Sequence, residues 1–198
     1  MSAAEDDTLA HYQASVPYYT LAFDASHSRH LDRFLDRLDA GAEILELGCG
    51  TGRDAARMIE RGFVVDATDG TPAMLRKAKE RHNVDAQLMR FRELDAENRY
   101  DAVWAHACLF HVERNDLPDI VSRICAALKP EGLHYASYKL GDSDGYDYRG
   151  RWNSHLAPDF LHRIYCETGF DILSMEAWQG KGADDVIRDW LSLTAARP

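Results

Sequence analysis

The shortages in this chain narrow its chemistry first. Basic residues are few beside acids: 23 Lys and Arg stand against 33 Asp and Glu, a formal charge of −10. No stretch gathers Lys and Arg into a block that could track a phosphate backbone, so nucleic acid is not an expected partner. Long apolar runs are also missing, and none approaches the ~20 residues that a membrane-spanning helix needs. Residues 1–8 are polar and acidic, without the basic start and apolar stretch of a signal peptide. No membrane association is expected, and the cytoplasm is the expected compartment. Cysteine is confined to Cys49, Cys108, Cys125 and Cys166, with no C-x-x-C pair. That scatter suits reduced thiols in a core better than disulfides or zinc, and no metal site is expected. Internal repeats, low-complexity tracts and a second domain boundary are lacking as well.

What is present fits one folded unit. A chain of 198 residues with 45% hydrophobic content can bury a sizeable core. We expect residues 1–27 to form a cap or lid, residues 28–198 the body, and the protein to be a monomer or weak homodimer.

The most informative stretch is 44–54, Ile-Leu-Glu-Leu-Gly-Cys-Gly-Thr-Gly-Arg-Asp. Its apolar start suits a buried strand, and Gly48, Gly50 and Gly52 suit a sharp turn whose backbone approaches a ligand closely. Residues 53–61 can then form a helix whose first N–H groups favour a carboxylate or phosphate over the turn. A dinucleotide fold also has a glycine turn after its first strand, and a purely structural turn is a further alternative. The spacing here is G-x-G-x-G, and Glu46 precedes the first glycine by two positions. A carboxylate there repels a pyrophosphate but attracts an ammonium group. Cys49 inside the turn is explained by its small side chain.

The flanking pattern alternates strands and helices. Residues 3–14 can be helical, followed by the cluster Val16-Pro17-Tyr18-Tyr19, which either packs on the core or belongs to a lid. Leu31, Phe34, Leu35 and Leu38 predict an amphipathic helix over 28–38. Strands are predicted at 63–67, more weakly at 86–91, then at 100–105 and 133–138, with helices from Pro72 and over 115–129. Thr71 reads as an N-cap, with Met74, Leu75 and Ala78 facing inward. Asp69, just past the second strand, is placed to accept two hydrogen bonds from a ribose diol, or is an exposed loop acid. His106 and His111 follow the fourth strand, where a doubly wound sheet faces its ligand, and each is a candidate base or a structural histidine. Residues 139–152 are long, glycine-bearing and mixed aromatic and charged, as lids often are, and Lys139 and Arg151 could bind an anionic group. A helix over 158–168 carries Phe160, Leu161 and Ile164 inward, with Gly169 as its cap. Residues 170–178 and 186–193 then read as two strands joined by a glycine-containing connection.

Glu46-Leu47-Gly48-Cys49-Gly50-Thr51-Gly52 closely resembles the first motif of class I S-adenosylmethionine (SAM)-dependent methyltransferases. The resemblance implies a doubly wound α/β fold of Rossmann-like type: a mostly parallel seven-stranded sheet with helices on both faces and an antiparallel last strand. It implies SAM as cofactor and S-adenosylhomocysteine as product. Glu46, Gly48, Cys49, Gly50, Gly52 and Arg53 would line the methionine end, with Asp69 at the ribose and Gly70 and Met74 beside it. Phe91 and Ala105, with Tyr12 and Tyr19 from the N-terminal segment, complete the implied cofactor set. The family places an acid at the end of the third strand to bind the adenine amine, but Arg90 stands there, leaving Phe91, backbone groups or Glu93. Gly-Arg-Asp after the turn, Trp-Ala-His-Ala, Leu-Lys-Pro-Glu-Gly and Ser-Tyr-Lys-Leu-Gly resemble the tellurite-resistance-type subgroup.

Methyl transfer from a sulfonium is an in-line displacement, and orientation alone can supply on the order of 7–11 kcal/mol of barrier reduction. A small-molecule acceptor, anionic or metalloid, is expected, with His106, His111 and Tyr18 as candidate bases. A SAM-binding sensor without turnover and a nicotinamide enzyme are the alternatives.

Overall fold

A computed structural model of the chain describes residues 3–22, 27–182 and 186–198, and residues 17–22 by their backbone alone. The side chains of Tyr18 and Tyr19 lie outside the described residues. The first helix, α1 (Ala3–Ala22), continues through Pro17 and past the predicted 3–14. Proline removes a helical N–H and weakens the ladder, but Val16 is buried against Ala73 and Met74, so packing holds this turn in place. The next helix, α2 (Leu31–Leu35), keeps only the middle of the predicted 28–38. Its upstream end is drawn away by Asp54, whose Oδ1 accepts the Ser28 N–H at 2.7 Å.

Then follow β1 (Glu43–Leu47), α3 (Arg53–Glu60), β2 (Val64–Asp69) and α4 (Pro72–His82). Because β2 runs two residues beyond the prediction, Asp69 closes the strand rather than following it. The third strand, β3, shrinks to Gln87–Leu88. Residues 91–93 coil into a 3-10 turn instead, closed by the Arg90 N–H donating to Glu93 Oε2 at 2.7 Å. β4 (Tyr100–Ala105) falls where predicted. α5 (Leu117–Ala127) ends early because β5 (Leu128–Lys139) begins at once, Leu128 pairing with Tyr100. Glu131, at φ 65°, lets the chain bulge there without leaving the strand.

The predicted lid stretch contains a small hairpin of β6 (Asp144–Tyr146) and β7 (Trp152–Ser154). Tyr148 on its tip is 73% exposed. α6 (Pro158–Glu167), β8 (Asp171–Lys181) and β9 (Ile187–Ala196) complete the chain. Leu161 and Ile164 of α6 point inward as predicted, while Phe160 is only half-buried under Arg114.

The main sheet has seven strands in the order β3-β2-β1-β4-β5-β9-β8, parallel except for β9, which runs antiparallel to both neighbours. This is the expected doubly wound arrangement. Alternation along the central strands divides the core. Leu45, Leu47, Val103, Ala105, Ala136 and Tyr138 pack with α5 and α6 on one face. Ile44, Ala102, Trp104 and Tyr135 pack with α2 and α3 on the other. Trp104 stacks on Tyr135 with ring centroids 4.1 Å apart, a contact adding about 0.5–1.5 kcal/mol beyond burial. Strand order reverses between β1 and β4, which opens a crevice at their carboxyl ends. Among the described residues no helix is long and apolar enough to cross a membrane.

One buried polar thread fastens α6 to the sheet. Tyr138 and Tyr165 hydroxyls lie 2.8 Å apart, the Tyr165 O–H reaches His134 Nε2 at 2.9 Å, and His134 Nδ1–H donates to the Val103 carbonyl at 3.0 Å. Burial lowers the His134 pKa to about 4. The unfolded chain therefore binds more protons than the folded one below pH ~6.5, and the stability this residue contributes is lost as pH falls from there toward 4. The thermal midpoint should drop over that interval, and a His134→Phe variant should drop less steeply. Tyr165→Phe, which strands two buried polar groups, should cost roughly 1–3 kcal/mol by denaturant unfolding at pH 7.

Candidate active site

The crevice is built on the glycine turn after β1. Gly48 lies at φ 67°, and a Cβ there would meet Cys108 Cβ at 2.7 Å; Gly52 lies at φ 82°, where a Cβ would meet Ala78 Cβ at 2.8 Å. Both positions are closed to a side chain by geometry and by contact. Gly50 shares the left-handed conformation but faces open space. Beneath the turn, Glu46 is 3% exposed, and its Oε2 is the one buried side-chain polar atom without a partner among the described residues. Burial pushes its pKa well above the usual carboxylate range; Asp54 and Asp69 push the same way, while Arg53 and the Ala55 N–H pull it back.

Asp69 closes β2 beside the turn. Its Oδ2 accepts the Gly50 N–H at 2.9 Å and its Oδ1 the Thr71 N–H at 2.8 Å. Each oxygen keeps acceptor capacity, which is what two adjacent hydroxyls of a ligand require. Burial raises its pKa, and the two N–H groups together with the Thr71 hydroxyl lower it. At the start of α3, Asp54 accepts from Ser28 N–H and Trp104 Nε1–H, so this acid is structural.

From the turn a cavity of about 840 Å³ runs to the hairpin, a size that suits a nucleoside-type ligand and a second small molecule. The helix α1 lies along it. Leu9 meets Gly70, and the Gln13 amide oxygen accepts the Ala73 N–H at 3.1 Å, capping α4 in place of Thr71, which makes no side-chain cap. Glu5 and Asp6 pair with Arg92 and Arg90. Arg90 is thus turned to α1, and the Glu93 carboxylate is used by the 3-10 turn. Phe91, whose ring approaches Gly48, is left on the cavity wall beside Met89.

At the hairpin end the two predicted histidines behave differently. His111 Nδ1 lies 2.5 Å from the Trp152 carbonyl, which can only accept, so this nitrogen carries the proton. Its Nε2 then accepts the Tyr12 hydroxyl at 2.8 Å, and Tyr12 in turn receives Arg151 Nη1 at 3.3 Å. Both ring nitrogens are committed, and burial beside Lys139 lowers the pKa to about 3. His106 instead has Nδ1 at 3.0 Å from Ser137 Oγ and its ring on the cavity wall, with a pKa lowered by burial to about 4.

Lys139 and Arg151, 4% and 2% exposed, line the same cavity. Asn153 joins them: its Oδ1 accepts Lys139 Nζ at 2.6 Å, and its Nδ2 donates to the Arg151 carbonyl at 2.8 Å. Asp147 holds the Arg151 guanidinium through Nε at 2.9 Å and Nη2 at 2.6 Å.

Of the residues predicted for the site, Tyr12, Glu46, Gly48, Cys49, Gly50, Arg53, Asp69, Gly70, Met74 and Phe91 all border the cavity. Gly52 and Ala105 do not: Gly52 packs on α4, and Ala105 is buried in the sheet. Tyr12 meets His111 and Arg151 at the hairpin end. Sequence reasoning missed Asp147 and Asn153, which carry no motif, the role of Ser137, quoted only within Ser-Tyr-Lys-Leu-Gly, and Asp54, whose only signal was its place in the first turn of the helix after the glycines.

Comparison with known proteins agrees with this geometry. A methyltransferase-domain family model matches residues 44–132. Trans-aconitate 2-methyltransferase of Enterobacter sp. (strain 638) is 27% identical over 92% of this chain and 79% of its own length. Among solved structures, the Burkholderia thailandensis 1,6-didemethyltoxoflavin-N1-methyltransferase, with bound 1,6-didemethyltoxoflavin and S-adenosylhomocysteine, aligns with a TM-score of 0.77 at 22% identity. That alignment covers 98% of this chain and 86% of that one. TehB from Haemophilus influenzae aligns with a TM-score of 0.72 at 15% identity, covering 93% and 67%, a likeness of fold alone.

The glycine geometry generates a graded expectation. Gly48→Ala adds a clash to a left-handed backbone and should lower the thermal midpoint well below that of Gly50→Ala, which carries only a conformational cost of about 1–2 kcal/mol. Melting curves of the two variants check the order.

Proposed function

We propose that this chain, a SAM-dependent methyltransferase, delivers its methyl group to a small acceptor bearing a carboxylate or similar anionic group. The residues present fit the cofactor. Glu46 offers a buried carboxylate oxygen that lacks a partner, the closed glycine turn gives a backbone cradle, and Asp69 offers two oriented acceptors. In this reading Glu46 and the turn hold the amino-acid end, Asp69 the ribose and Phe91 the base, while α1 covers the cavity. When bound, SAM supplies an electrophilic methyl on a sulfonium. The chain's own work is to orient the acceptor and exclude water.

The observation that carries the acceptor class is the pair of buried cations, Lys139 and Arg151, opening on the same cavity as the turn. A guanidinium fixed by Asp147 and an ammonium fixed by Asn153 form a preorganised site for a carboxylate. The relative from Enterobacter, named for trans-aconitate, supports this reading. The tellurite-type resemblance draws support from fold alone, which does not choose an acceptor. The non-enzymatic alternative is motivated by Arg90 at the adenine position and by the lack of a decisive catalytic residue; the ion pairs of Arg90 with α1 account for the first, and turnover in the assay below decides the second.

Incubation with labelled SAM and a panel of di- and tricarboxylates, trans-aconitate among them, beside their uncharged amides, tests the proposal. Methyl transfer to the carboxylates is expected, with Lys139→Met raising KM about 10- to 100-fold, the worth of one charged hydrogen bond; equal turnover of the amides overturns it. Glu46 generates a second expectation. Its carboxyl binds a proton more tightly folded than unfolded, so it takes stability from the ligand-free chain as pH rises through that interval. Glu46→Gln should therefore raise the ligand-free melting temperature at pH 7 and weaken SAM binding by calorimetry.

A further inference from the structure

We infer that Ser137 holds His106 in its Nε2–H tautomer, so that the ring offers the cavity a hydrogen-bond donor and receives an acceptor that is already an anion. The inference rests on the proposed function for the acceptor class and on hydrogen-bond geometry for the tautomer.

Ser137 lies in β5 with no exposed surface. Its Oγ accepts the Ala107 N–H at 2.8 Å and sits 3.0 Å from His106 Nδ1, and among the described residues these are its two partners. A backbone N–H only donates. If Nδ1 also carried a proton, the hydroxyl would receive two donors, and its own hydrogen would be buried without an acceptor. With the Ser137 O–H donating to Nδ1, every group is satisfied. The network thereby assigns the proton of the neutral ring to Nε2.

That nitrogen makes no hydrogen bond among the described residues. It is not one of the enclosed unpartnered atoms either, since Glu46 Oε2 is the only such atom there, so Nε2 is reached from the cavity its ring lines. The ring is fixed over Trp104, centroids 5.8 Å apart at 28°, with His30 at 6.3 Å. Asp54 favours its charged form, while Arg53, His30 and Arg29 oppose it, and burial outweighs them all in keeping it neutral. Residues 106–108 cross the glycine turn, where Cys108 meets Gly48 and its thiol donates to the Leu47 carbonyl. His106 therefore stands beside the methionine end of the proposed SAM site. An imidazole N–H there can hold an oxygen lone pair but cannot remove a proton, so a carboxylate oxygen suits it and an unionised hydroxyl does not.

The test uses the full chain with labelled histidine and bound S-adenosylhomocysteine, reading ring ¹⁵N shifts by NMR. The expected result is a neutral His106 with the proton on Nε2 from pH 6 to 8 and an Nδ1 shift that reports an accepted hydrogen bond, that bond signature being lost in Ser137→Ala. A proton on Nδ1 in the wild type, or an unchanged Nδ1 shift in a folded Ser137→Ala variant, overturns the inference. Turnover of trans-aconitate gives a second readout. His106→Gln, which keeps a donor at the same reach, should retain activity within about tenfold, and His106→Phe should not; equal loss in both overturns the donor role. If no carboxylate is methylated, the acceptor reading fails while the tautomer result stands by its own measurement.

Discussion

A carboxylate buried without a full set of partners is the constraint around which this molecule is arranged. Taking Glu46 out of water carries a penalty of several kcal/mol, and the groups nearest it include two further acids, Asp54 and Asp69, against one guanidinium, Arg53. The backbone above cannot relax to relieve this: Gly48 is pressed on Cys108 and Gly52 on Ala78. In the proposed function, an acid kept in such a place stores an interaction for a cationic group that arrives later. SAM brings an ammonium group, and its binding would convert the penalty into affinity, so the rigidity of the turn and the burial of the acid are parts of one device.

The outer wall of the cavity is held differently. Besides Val16 packed on Ala73 and Met74 and Leu9 at Gly70, the helix α1 touches three separate segments through polar groups: Glu5 and Asp6 to the arginines at 90 and 92, Gln13 to the start of α4, and Thr8 and Tyr12 to the hairpin side. Water can replace such contacts at little net cost, whereas it cannot replace the stacked and close-packed rings under the sheet. The inner wall is therefore the stiffer part, and the polar contacts of the outer wall are the exchangeable ones. This is the arrangement a cavity needs if a nucleoside is to enter before the acceptor is enclosed.

How legible each part was follows from the range of the interactions that make it. The turn, Asp69 and β4 could be read because a few consecutive residues determine them. α2 was predicted too long because Asp54 competes for the backbone at Ser28, and α5 because strand pairing at Leu128 ends the helix while the apolar periodicity continues. Arg90 looked like a defect in the adenine site until α1 supplied its partners. The Tyr12–His111 bond joins positions 99 apart, and no local pattern announces it. Ser137 entered the reading only as the first residue of Ser-Tyr-Lys-Leu-Gly, and nothing local announces that its hydroxyl meets His106.

The same division bears on where the family model matches. The family match stops at residue 132 and contains Glu46, the three glycines, Asp69 and Phe91. Ser137, Lys139, Arg151 and Tyr12 all lie outside it, on the end of β5, the hairpin and α1. A strand end and a two-stranded hairpin can change without moving β1 or its turn, because the hairpin forms its own small sheet and does not pair into the seven-stranded one. Acceptor preference can therefore diverge while the cofactor half stays constant. In the proposed function the acceptor is argued from this chain's own Lys139, Arg151 and His106, since the family match ends before Lys139 and Arg151 and a shared cofactor half is compatible with any acceptor.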